Sequence, residues 1–143
     1  MVDALQEAHR VVVAGGTVID VRPDHRPYGA GPGRARFSFV DGDKRAVGPH
    51  LTRPGFLDAC RAADTAIRDV VERGLLSLEA EDGFVMRTYF RSLEAVGAYH
   101  ERGLEVLEPS ARRRISGLLA RHPEGRIVRE EPALVNVLRR SHG

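Results

Sequence analysis

The chain has 143 residues, 42% of them hydrophobic and 29% charged, which is enough apolar surface for a packed core and too little bias for wholesale disorder. Lys and Arg total 22 against 20 for Asp and Glu, a formal charge of +2 without the basic surplus of a dedicated nucleic-acid binder. No stretch nears the roughly 20 apolar residues a bilayer span needs, the single Cys60 makes no internal disulfide, and Asp3 and Glu7 do not suit a signal peptide, so a cytoplasmic protein with no membrane partner is expected.

Val2 to Val13 reads as a helix, with Leu5 and Ala8 on one face and Gly15-Gly16 as its stop. Thr17 to Arg22 is rich in β-branched residues and reads as a short buried strand closed by Pro23. Three prolines and three glycines over residues 23 to 34 predict a long loop. Arg36 to Val40 and Lys44 to Val47 flank Asp41-Gly42-Asp43, a hairpin signal because glycine tolerates positive φ. The longest helix is expected from Pro54 to Arg73, its stripe formed by Phe56, Cys60, Ala63, Ile67, Val70 and Val71. A short extended piece, Leu75 to Glu79, precedes a strand from Gly83 to Arg91, with Phe84, Met86 and Phe90 facing the core. Ser92 is a good N-cap for a helix to about Arg102, Pro109 opens another helix, and Arg126 to Arg140 reads as a long strand with a bulge or an edge at Pro132.

The run from Ala4 to Arg22, a helix ending in Gly15-Gly16 before a β-strand, resembles class I S-adenosylmethionine (SAM) dependent methyltransferases. There such a turn precedes the fifth strand of the sheet, and the later helix and strand order here is similar to the second half of that fold. The resemblance implies an α/β fold: a truncated, Rossmann-like half-sheet with mixed strands, flanking helices and an inserted hairpin, as a single domain over 1–143. It stops short of the cofactor site. Gly29-Ala-Gly-Pro-Gly33 leads into a strand instead of a helix, so it fails as a phosphate- or SAM-cradling loop. No cofactor is therefore expected in the isolated chain, and SAM only if a partner chain supplies the missing loop.

A lone half-sheet would leave strand 17–22 with an unpaired apolar edge. Residues 35 to 48 or a second protein must cover it, and a homodimer is the expected solution. At the end of that strand Asp20, Arg22, Asp24, His25 and Arg26 cluster where open α/β sheets place ligands. His25 is the candidate general base, with Asp20 or Asp24 orienting it. Arg22 is a candidate ligand-binding residue, joined by Arg87 and Tyr89, which share one strand face and suit a planar or anionic ligand. The six histidines lack ligand spacing, so no metal is expected; Cys60 falls on an apolar stripe and reads as core. Arg112-Arg113-Arg114 and Arg139-Arg140 carry no interleaved aromatics, consistent with no nucleic-acid partner. The expected function is an oligomeric accessory or small-molecule-binding protein. The alternatives are a small non-methylating enzyme with a pocket at its dimer interface, and a methyltransferase half completed by a partner chain.

Overall fold

The computed structural model describes residues 2–29, 35–51, 55–100 and 103–141. Most of the glycine-rich run, Pro54 as the start of the long helix, and the expected helix end near Arg102 lie outside the described residues. Among the described residues four helices and five strands follow one another as α1 (Val2–Val11), β1 (Thr17–Pro23), β2 (Arg36–Asp41), β3 (Asp43–Pro49), α2 (Phe56–Glu72), β4 (Leu76–Phe90), α3 (Leu93–Tyr99), α4 (Pro109–Arg121) and β5 (Arg126–Arg140). A tight helical turn, Arg26–Gly29, occupies part of the segment expected to be loop. Among the described residues no helix is long and apolar enough to cross a membrane.

The pairing directions correct the expected Rossmann-like half-sheet. β1 runs antiparallel to β5, β2 antiparallel to β5, and β2 antiparallel to β3. A methyltransferase sheet needs parallel neighbours joined by helical crossovers. The sequence from Ala4 to Arg22 does form helix, glycine turn and strand, but that local pattern carries no information about which strand pairs with β1 or in which direction. The methyltransferase resemblance therefore fails, and the expectations drawn from it lose their basis.

β5 organises the sheet, pairing with β1, β2 and β4. Arg126 to Glu130 face β2, and Ala133 to Arg139 face β1. Pro132, which has no N–H to give, falls between these two registers, so the strand passes through it without losing a ladder bond on that side. β4 is one strand of 15 residues where two shorter pieces were expected. Phe84 and Met86 are exposed on it, not core; only Leu76 and Phe90, at its ends, are buried.

The chain divides into two compact units, each with its own apolar core. The first contains Met1–Arg26, Pro54–Phe84 and Ala133–Gly143. Here the stripe of α2 delivers Ala66, Ile67 and Val70 against Leu5 of α1, Leu76 of β4 and Leu138 of β5. Cys60 is buried on the same stripe. β1 is half-buried by alternation, not buried throughout. Val18, Asp20 and Arg22 turn toward the covered side, while Ile19 (65% exposed) and Val21 (58%) face outward opposite Val137 and Val135. The Gly15-Gly16 turn is tied to the end of β5 by Gly15 N–H to Arg140 O (3.1 Å) and Arg140 N–H to Gly16 O (2.9 Å).

The second unit contains Pro27–Arg53 and Val85–Pro132. Phe37, Phe39 and Ile127 on its strands pack with Val96 of α3 and Ala111, Ile115 and Leu118 of α4. Ser92 caps α3 by accepting from Ala95 N–H at 3.1 Å, as its sequence position suggests. The β2–β3 hairpin turns at Gly42, whose φ of +70° is the conformation that favours glycine there.

Gly125 is required for a different reason: a Cβ at that position would overlap the Phe39 ring, which is fully buried. Gly125→Ala is expected to cost about 1–3 kcal/mol through overpacking. Urea unfolding measures this, and a second change, Phe39→Leu, should recover part of the loss.

Candidate functional site

The site in the first unit grows from strand register. Asp20 lies directly opposite Asn136, and Arg22 opposite Leu134, so the covered face of the β1–β5 pair carries two charges and one amide. Arg22, with a side chain only 9% exposed, is gripped from two sides. It donates to Asp20 Oδ2, and through its other terminal nitrogen to Asp64 Oδ1 of α2 at 2.5 Å. Asn136 Nδ2 also donates to Asp20 Oδ2, at 2.9 Å. His25 Nδ1 lies 3.4 Å from Asp64 Oδ2.

Arg22, Asp64 and Asn136 border a pocket of about 320 Å³. Its deeper lining is buried: Arg22, Ile67, Leu134 and Asn136. Arg26, Arg68, Leu78 and Glu81 are exposed at its rim, and Val71 completes the apolar wall. α2 builds its side with Asp64, Ile67, Arg68 and Val71, positions i, i+3, i+4 and i+7 that share one helical face. Arg26 is bound by Asp24 (2.8 Å) and Glu81 (2.9 Å), which raise its already high pKa and keep it charged. Burial pushes the Asp24 carboxyl up, but hydrogen bonds from the Arg26 side chain and backbone outweigh it and hold it below the usual value. Arg68 differs from the other two arginines: among the described residues no carboxylate pairs with it.

The expected site residues are thus partly brought together. Asp20 and Arg22 join as anticipated. His25 is close, but the carboxylate beside it is Asp64, since Asp20 is engaged by Arg22 and Asn136 and Asp24 by Arg26. Asp64, Arg68 and Asn136 were not in the expected set. The signal for the helix pair is Asp64 and Arg68 one turn apart, beside Ile67 and Val71. For Asn136 it is a lone amide in the apolar run Ala133 to Leu138.

Arg87 and Tyr89 belong to the second unit, not to the pocket. Tyr89 is 61% exposed. Arg87 Nε donates to Glu130 at 3.2 Å, together with Arg36 (2.9 Å), Lys44 and the Ser38 hydroxyl (3.2 Å). Arg87, an expected ligand residue, thus gives its Nε to a buried carboxylate. Burial would raise the Glu130 pKa, but hydrogen bonds from Lys44, Arg36 and Arg87 outweigh it and bring it down to about 2. Among the described residues no group of three or more His, Cys, Asp or Glu side chains is arranged to hold a metal.

Two outcomes are expected. Asp20→Ala leaves Arg22 with Asp64 alone and removes the acceptor of Asn136 Nδ2, and should lower the unfolding free energy by roughly 3 kcal/mol, read by chemical denaturation. Glu130 has a folded pKa of about 2, below the unfolded value, so its stabilisation is complete above the unfolded pKa and is lost as pH falls toward 2. Glu130→Gln should remove about 2–3 kcal/mol of the acid-side fall in stability, after allowance for half-exposed cations. Parallel stability curves for the two proteins between pH 6 and 2, on the order of the full carboxylate range, would contradict the assignment. Compared with family models, curated proteins and solved structures, the chain matches none.

Proposed function

We propose that the first unit binds a small organic acid with a branched aliphatic body. The observation that carries this is the composition of the pocket: an unpaired cation, Arg68, stands at the rim above an aliphatic wall of Ile67, Val71, Leu78 and Leu134. Arg22 and Arg26 are held in fixed positions by their carboxylates and shape the cavity without needing a ligand. Arg68 has a full set of planar donors to give, a geometry that fits a carboxylate bidentately. At about 320 Å³ the pocket is at the small end of ligand cavities.

A second reading is favoured by one contact. Asp64 Oδ2 lies 3.4 Å from His25 Nδ1, the carboxylate–imidazole neighbourhood that acid–base catalysis uses. Prolonged incubation with a bound acid, followed by chemical analysis, separates the two: unchanged ligand supports binding alone.

The direct test uses 4-methylpentanoate as the probe, titrated into the protein by calorimetry. The wild type is expected to bind it, and Arg68→Gln to bind about ten-fold or more weakly, the loss of one charge-assisted contact. Equal affinity in the two proteins, or no binding by either, would overturn the proposal.

A further inference from the structure

Asn136 has a feature that a simple carboxylate does not explain. It is 1% exposed, lines the pocket, and its Oδ1 is buried with no protein hydrogen-bond donor. The orientation of the amide is fixed by its neighbour. Asp20 is an acceptor that takes the Nδ2 donor, so the unsatisfied atom is the carbonyl oxygen and its complement must be a donor. A buried acceptor left unmade is costly, and folded proteins keep such groups rarely.

The charges around the cavity point the same way. The lining carries both signs: Arg22, Arg26 and Arg68 with the carboxylates of Asp64 and Glu81. A purely anionic ligand would leave the two carboxylates of the lining without a complementary charge from the ligand. A molecule bearing both signs would not. Resting on the proposed function, we infer that the ligand is a zwitterion, a free aliphatic α-amino acid. Its carboxylate meets Arg68, its ammonium group donates to Asn136 Oδ1 with Asp64 and Glu81 lining the same cavity, and its side chain lies against Ile67, Val71, Leu78 and Leu134.

The experiment compares L-leucine with 4-methylpentanoate, the same skeleton without the amine, on the wild type and on Asn136→Leu by calorimetry. The expected result is that the wild type prefers L-leucine by about ten-fold or more, and that Asn136→Leu loses this preference while still binding 4-methylpentanoate. Because Asn136→Leu could fail to fold, the wild-type comparison stands by itself. Equal affinity of the wild type for both compounds means that Asn136 Oδ1 needs only water; it overturns the inference and leaves the carboxylate site standing. Binding of neither compound overturns both.

Discussion

A guanidinium as deeply placed as that of Arg22 is stable only if its charge is matched on the spot. Removing an ion from water costs several kcal/mol even after the protein relaxes. Asp20 supplies one carboxylate from the same strand, two residues away and therefore on the same face. Asp64 supplies the second from α2. That double grip joins β1 to α2 with a polar contact beside the apolar one made by Ile67, Val70 and Leu138. It also fixes the deep end of the pocket, because Asn136, bound to the same Asp20, and Leu134, opposite Arg22, must then stand beside it. The rim arginines can vary without undoing this arrangement; Arg22 cannot.

The second unit solves a similar problem with the signs reversed. Glu130 is a buried carboxylate that receives Arg36, Lys44, Arg87 and Ser38 from three other strands. Its partners keep their stems on the sheet and their heads partly in water, which suits long cationic side chains. Each unit therefore combines an apolar cluster with a buried ion held by several counter-charges. In the first the ion borders a cavity; in the second the cations close directly on the carboxylate.

How much of this was legible in the sequence follows from range. The four helices, the Asp41-Gly42-Asp43 hairpin, the Ser92 cap and the long final strand depend on neighbours within a few residues, and their signals were read correctly to within a few positions. The direction of strand pairing depends on contacts more than 90 residues apart, as between Arg36 and Glu130, and a helix-turn-strand pattern is silent about it. That is why a parallel half-sheet was expected and an antiparallel sheet forms. The same limit applies to the site. Asp20, Arg22 and His25 stand out in the sequence because they lie together in the chain. Asp64 and Asn136 escaped notice because only the fold brings them to Arg22 and Asp20. Arg87, singled out for its strand face, is joined to Glu130 of β5, a partner 43 residues away that its local pattern does not reveal.

The central claim is that the Arg22-anchored cavity of the first unit holds a small molecule with a carboxylate and a donor at fixed separation. A crystal structure of the protein grown with L-leucine tests it most directly. The account predicts the amino acid in this pocket, with its carboxylate on the Arg68 guanidinium and its ammonium nitrogen within hydrogen-bonding distance of Asn136 Oδ1. An empty pocket at saturating L-leucine, or the ligand bound with neither group engaged, would contradict it.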